Sequence, residues 1–255
     1  MCTAGRERST CRRGLPTESG SRSSATLQCL DALIARAVSS SSVFVCKAIL
    51  FDLDGVLVDS AECVERTWRT WSARHGLNAD DVIAVAHGRR TLETVRAVAP
   101  HLDVLTEVTA LEASEAMTAE GVHEIAGARE LIGRLSRDRW AVVTSGTRVI
   151  AEFRLRLVGI PIPRVMICAD EITHGKPHPE GYLTAATQLG RTAGECIVIE
   201  DTPAGVEAGH AAGAQVIAIE TTHRRQQLTA ADVVVRRLTD LDVTWDGTAI
   251  RIEAK

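Results

Sequence analysis

The chain has 255 residues, 45% of them hydrophobic and 24% charged, a size that suits one large α/β domain or a domain with a small insert. A net charge of -4 without long runs of one sign argues against a nucleic-acid partner, and no apolar stretch reaches the ~20 residues that would span a membrane. Seven cysteines, an odd number with no CxxC spacing, point away from a disulfide framework or a zinc site and towards a reducing, cytoplasmic setting.

Residues 1–44 differ from the rest. They are rich in Ser and Arg (Arg6, Arg8, Arg12, Arg13, Arg22), with one short helical pattern around Leu27 to Val38. Arg and Ser richness with few acids is a property of organelle transit peptides, and no long apolar core marks a secretory signal. We read the segment as a disordered extension, or as the product of a start codon placed too far upstream. The organised chain is expected from about Phe44.

Short apolar runs follow at Cys46 to Phe51, Trp140 to Thr144, Val165 to Cys168, Cys196 to Glu200 and Gln215 to Ile219. Each reads as a buried strand. Helical patterns lie between them, at Gly127 to Arg137, Arg148 to Val158, Pro179 to Leu189 and Pro203 to Ala212. This alternation predicts an α/β fold, a parallel sheet covered by helices on both faces. The first crossover is too long for one helix. It carries helical patterns at Ser60 to His75, Ala79 to Ala86, Thr91 to Ala99 and Val104 to Thr118. We therefore expect a core over 45–59 and 125–245, with a helical cap over 60–124.

In such sheets ligands sit at the carboxyl ends of the strands, so chemistry-bearing residues should follow each strand. After the first come Asp52 and Asp54, two carboxylates that can converge on one cation and one phosphorus atom, with Gly55 permitting the tight turn. After the second come Thr144, Ser145 and Gly146, a hydroxyl and amides at a helix start that suit an anion, with Thr147 as the expected helix cap. After the third comes Lys176, one of only three lysines in the chain, held between Gly175 and Pro177. It can neutralise phosphoryl charge. After the fourth come Glu200 and Asp201, acids suited to a cation and followed by Pro203 at a helix start. Taken singly, each pattern also reads as an ordinary turn or cap. In this order, together, they form a phosphoryl-transfer constellation, because that chemistry needs positioning and charge neutralisation above all.

With FDLDGVLVDS (51–60), AVVTSGT (141–147), HGKPHPE (174–180) and VIEDTPAG (198–205), the sequence resembles the haloacid dehalogenase superfamily of phosphatases. The resemblance implies a Rossmann-like core with an inserted helical cap, and Mg²⁺ as cofactor. It implies Asp52 as nucleophile and Mg²⁺ ligand, and Asp54 as acid/base with its carbonyl on Mg²⁺. Thr144 and the Ser145 amide would hold the phosphoryl group beside Lys176, with Asp201 as a further Mg²⁺ ligand and Glu200 in support. Within the superfamily, HGRRTLETV (87–95) and THGKPHPEGY (173–182) look like the glycerol-3-phosphatase and 2-deoxyglucose-6-phosphatase group. The implied substrate is a small sugar or polyol phosphate, and a monomer is the default for this size and cap type. His87, Arg89 and Arg90 fall where a cap loop would face the substrate, with Arg90 the first choice for touching it. Trp68 and Trp71 read as cap packing. A phosphomutase of the β-phosphoglucomutase kind shares the same four motifs and stays open as an alternative. A non-catalytic protein on the same fold would predict broken motifs, and none of the five central residues is missing.

Overall fold

The computed structural model describes residues 42–255. The extension expected over 1–44, with its short helix, lies outside the described residues except for its last three positions. Those three belong to a strand, β1 (Ser42–Cys46), which passes through Lys47 into β2 (Ala48–Phe51). The apolar run expected as one strand is thus two, and organised structure starts slightly before Phe44.

All four side chains of β2 are fully buried and alternate between two cores: Ile49 and Phe51 face one, Ala48 and Leu50 the other. A strand buried on both faces must be apolar throughout, which is why it shows no polar alternation. A tight loop leads from β2 to β3 (Val58–Asp59). Four helices follow: α1 (Ala61–His75), α2 (Ala79–Ala86), α3 (Thr91–Val98) and α4 (Val104–Glu115). They bury their own cluster around Trp68, Trp71, Val95 and Leu111. The two tryptophans pack edge to face, 5.5 Å between centroids, and Trp71 Nε1 donates to Glu107 Oε2 at 2.8 Å. Asn78 and Asp103 cap α2 and α4 by accepting the amides of Asp80 and Thr106. The chain returns through β4 (His123–Glu124), which pairs antiparallel with β3.

The remaining elements are α5 (Ala128–Gly133), β5 (Trp140–Val143), α6 (Arg148–Leu157), β6 (Met166–Ile167), α7 (Glu180–Gln188), β7 (Cys196–Glu200), α8 (Pro203–Ala211), β8 (Gln215–Ile219), β9 (Val233–Val235), β10 (Leu241–Trp245) and β11 (Ile250–Ala254). The main sheet runs β6-β5-β2-β7-β8-β9, parallel throughout, with β2 at the point where the winding reverses. That order is doubly wound, and its ligand crevice opens at the carboxyl ends of the strands flanking the reversal. Beyond the five expected strands, β9 completes the edge.

A second sheet, β1-β11-β10, is antiparallel and packs Phe44, Val243 and Ile252 into the same core as Ile49 and Phe51. It takes the fold past residue 245, where the core was expected to end. Its strands alternate buried and exposed residues and carry Asp242, Arg251 and Glu253 on the outer side, a weaker signal than a continuous apolar run.

Candidate active site

The elements of the main sheet bring the four motifs to one end. Asp52 continues the β2 ladder by donating its amide to the Ile199 carbonyl at 2.9 Å. The chain then turns back on itself, with the amides of Leu57 and Val58 both bonded to the Leu53 carbonyl at 2.9 Å. Gly55 sits in this turn at φ 82°, and a Cβ there would overlap the Asp201 carboxylate. Both the backbone angle and the close approach require glycine. Gly205, at the start of α8, lies just as tightly over the Glu200 carboxylate.

At the centre is a buried charge cluster. Lys176 Nζ donates to Asp52 Oδ1 at 2.6 Å and to Glu200 Oε1 at 2.5 Å. The same Glu200 oxygen accepts from the Tyr182 hydroxyl at 2.7 Å. Glu200 Oε2 accepts the amides of Asp201 (3.0 Å) and Thr202 (3.2 Å) and the Thr202 hydroxyl (3.1 Å). Five donors therefore saturate Glu200, whose geometry places Lys176. Asp201 is different. Its Oδ2 accepts from the Thr222 hydroxyl, whereas its Oδ1 is buried with no partner among the described residues.

Burial pushes the Asp52 carboxyl up to about 7, against the pull of Lys176 and with the help of Glu200. Burial also drives Asp201 well above the carboxylate range, reinforced by Asp52 and Glu200. Burial disfavours the Lys176 ammonium, but the two carboxylates beside it outweigh this and hold its pKa above the ordinary value. Three buried carboxylates, Asp52, Glu200 and Asp201, thus face one lysine, with oxygens within 4.8 Å of one another. The excess negative charge and the orphaned Asp201 oxygen fit a hard divalent cation bound by oxygen ligands.

A cavity over this cluster is lined by Asp52, Asp54, Asp201 and Thr144 on the core side. His87 and Arg89 line it from the loop between α2 and α3. Thr144 Oγ1 accepts the Gly146 amide at 3.0 Å, and the Ser145 hydroxyl donates to the Gly88 carbonyl at 2.9 Å, tying that loop to the core. Thr147 precedes α6 but makes no side-chain cap. Asp170 instead accepts the Arg148 amide at 3.0 Å.

Arg90, the first choice for substrate contact, lies elsewhere. Its Nε donates to Glu93 Oε1 at 2.8 Å, and its terminal nitrogens donate to the Ile172 and Thr173 carbonyls at 3.1 and 3.0 Å. A guanidinium with these partners latches α3 onto the loop carrying Lys176 and is already satisfied there. Arg89 is the neighbour that lines the cavity, and among the described residues its side chain has no ion-pair partner. On the same loop, His174, His178 and Glu180 also bring donor atoms within 4.8 Å. Glu180 is occupied by the amides of Thr173 (2.8 Å) and His174 (3.0 Å), bonds that hold its pKa down at about 2 and fix the approach to Lys176.

Sequence reasoning missed Tyr182, Thr222, Ser60, Arg154 and Glu115. Tyr182 carried a signal, being the one tyrosine in the chain and only six residues past Lys176. Arg154 carried another, since it falls one turn after Ile150 on the apolar face of a helix that also buries Ala151 and Leu155.

A family model described as haloacid dehalogenase-like hydrolase matches residues 46–213. Hexitol phosphatase A of Escherichia coli (strain K12) is 41% identical over 204 residues, covering 78% of this chain and 94% of that protein. Glycerol-1-phosphate phosphohydrolase 2 of Saccharomyces cerevisiae is 37% identical, covering 69% and 75%. Among solved structures, a β-phosphoglucomutase from Clostridium difficile matches with a TM-score of 0.68 at 20% identity over 77% of this chain and 93% of its own, a likeness of fold alone. With the family model spanning most of the described core and these relatives covering the same region, the chain belongs to the haloacid dehalogenase-like hydrolases.

Proposed function

We propose that the protein is a Mg²⁺-dependent phosphatase acting on a small sugar or polyol phosphate through an aspartyl-phosphate. The observation that carries this is the buried Asp52 carboxylate, 2.6 Å from Lys176 and beside the unpartnered Asp201 oxygen. An Asp52 oxygen attacks phosphorus while the ester P–O bond breaks, and Asp54 gives its proton to the departing oxygen. Asp54 then takes a proton from water, which attacks the aspartyl-phosphate, releases phosphate and regenerates Asp52. Lys176 offsets charge on the phosphoryl oxygens, and Thr144 with the amides of Ser145 and Gly146 orients them. Asp52, Asp201 and the Asp54 carbonyl are the groups that would hold Mg²⁺, which would supply positive charge to offset the negative charge of the phosphoryl group. Glu200 supports this set through Lys176, because its own oxygens are already occupied.

The relatives at 41% and 37% identity are named as a phosphatase and a phosphohydrolase, which supports hydrolysis over the phosphomutase alternative. The hydroxyl-rich substrate class rests on the same relatives and on a cavity wall of mixed donors and acceptors, among them His87, Arg89 and Glu115. The four described cysteines, Cys46, Cys63, Cys168 and Cys196, are buried free thiols, which supports the cytoplasmic setting. Among the described residues no helix is long and apolar enough to cross a membrane.

The test is phosphate release from a panel of hexitol, glycerol and deoxyhexose phosphates. EDTA should abolish turnover and added Mg²⁺ should restore it. Turnover unaffected by EDTA would remove the metal from the mechanism, and rapid formation of an isomeric phosphate in place of free phosphate would favour the mutase. On the best substrate, Arg89→Ala should raise KM about tenfold while kcat changes less than about twofold, as for a group that binds ground state and transition state alike. Steady-state kinetics over a range of substrate concentrations checks this split.

A further inference from the structure

Arg154 lies on α6 and is 3% exposed. Its Nη1 donates to Asp54 Oδ1 at 2.7 Å and its Nη2 to Glu115 Oε2 at 2.8 Å. Ser60 Oγ donates to the same Asp54 oxygen, also at 2.7 Å. Both donors therefore hold one oxygen of Asp54, and among the described residues none reaches the other. Glu115 is the last residue of α4, so a single guanidinium joins the helical layer to the proposed acid/base. All of these residues line the cavity over the buried charge cluster.

A stabilising role does not account for this arrangement. A buried arginine between two acids carries a desolvation cost that well-packed apolar residues would avoid. The Nε of Arg154 is, moreover, buried without a partner among the described residues, and a buried unsatisfied donor is itself unfavourable. The face of α6 around it already buries Ile150, Ala151 and Leu155, so an apolar side chain would suit the place.

We infer that Arg154 is a positioning residue for Asp54, and that it transmits the placement of α4, through Glu115, to the proton-transfer step. The inference rests on the phosphatase reading above. Fixing one carboxyl oxygen by two donors sets the plane of the group and leaves the second oxygen for the leaving group and for water. A carboxyl free to rotate would spend less time aligned with the breaking bond, and misplacement of a catalytic group lowers rate without weakening binding.

Leaving-group dependence separates this from a merely structural role. A polyol phosphate expels an alkoxide that needs a proton, whereas p-nitrophenyl phosphate expels a stable phenolate that does not. The quantity to measure is kcat/KM on both esters, since it reports the steps up to the first irreversible one and excludes the later hydrolysis of aspartyl-phosphate. Asp54→Asn is the reference, with an expected loss of about 10²-fold or more on the polyol ester and much less on the nitrophenyl ester. Arg154→Met should show the same selectivity, about tenfold or more against less than about threefold. The double variant Arg154→Met/Glu115→Gln neutralises the unpaired buried acid while keeping a polar group in the cavity wall, and should repeat the pattern. Equal losses on both esters in the Arg154 variants, or no loss on either, would overturn the inference. If Asp54→Asn is itself unselective, the assignment of the acid fails and takes the inference with it. If the wild type hydrolyses neither ester, the phosphatase reading fails instead.

Discussion

Asp52→Asn should lower phosphate release by about 10⁴-fold or more while leaving the fold intact. In the proposed mechanism Asp52 is the covalent nucleophile; its loss removes the first bond-forming step, and the remaining groups sustain only a small residual rate. Asparagine matches the carboxylate in shape, and Lys176 keeps its second partner, Glu200, at 2.5 Å. The melting temperature should therefore stay within about 3 °C of wild type. Full activity in purified Asp52→Asn would place the nucleophile elsewhere. A loss of activity accompanied by unfolding would leave a structural role as the explanation. The measurement is phosphate release together with thermal melting of the same preparation.

Lys176→Met should be damaging in both respects. Lys176 is buried between Asp52 and Glu200, and removing it leaves two carboxylates facing each other without a cation. Breaking a buried ion pair by deleting one partner costs about 3–5 kcal/mol, which lowers the melting temperature by on the order of 10 °C in a chain of this size. Activity should fall about 10²-fold or more, because in the proposed mechanism the lysine offsets charge that develops on the phosphoryl group. Lys176→Arg should not restore turnover. Arginine presents a planar fork where the site holds a point charge between two oxygens and the Tyr182 ring, 5.4 Å away. The contrast with Asp52→Asn is diagnostic, since one variant loses chemistry alone and the other loses chemistry and stability. If Lys176→Met melts like wild type, the buried cluster does not carry the charge balance assigned to it. Melting should be followed without added Mg²⁺, so that a bound cation does not mask the missing lysine.

The contrast also explains what was legible in the residues alone. Asp52, Thr144 and Asp201 each follow an apolar run, and a short apolar run bounded by turn residues is a local signal that a strand ends there. The doubly wound arrangement of those runs follows from their alternation with helices. Thus the convergence of these residues was readable without coordinates. The edges of the fold were not. The antiparallel sheet of β1, β10 and β11 pairs Ser42 with Ala254, residues at opposite ends of the described chain, and its strands carry polar residues on one side. Nothing in either segment specifies its partner.

The same distinction runs through the site, back to the buried cluster that Lys176 holds together. The sequence by itself determined the order of strand, motif and helix, the family and the chemical types present at each strand end, because periodicity and turn chemistry are properties of neighbouring residues. Only the tertiary structure decided which partners several of those side chains meet. Glu200 reads as one of two acids suited to a cation, and only the fold shows that Lys176, 24 residues away, and Tyr182 reach its first oxygen and local amides its second. Arg90 reads as a substrate contact until the Ile172 and Thr173 carbonyls, more than 80 residues away, claim its guanidinium. Arg154 reads as one more helix residue until it meets Asp54, 100 residues earlier, and Glu115, 39 residues earlier. The physical reason is that a charged side chain's role is set by which partners reach it in a buried, low-dielectric place, and those partners arrive from distant elements only when the chain has folded.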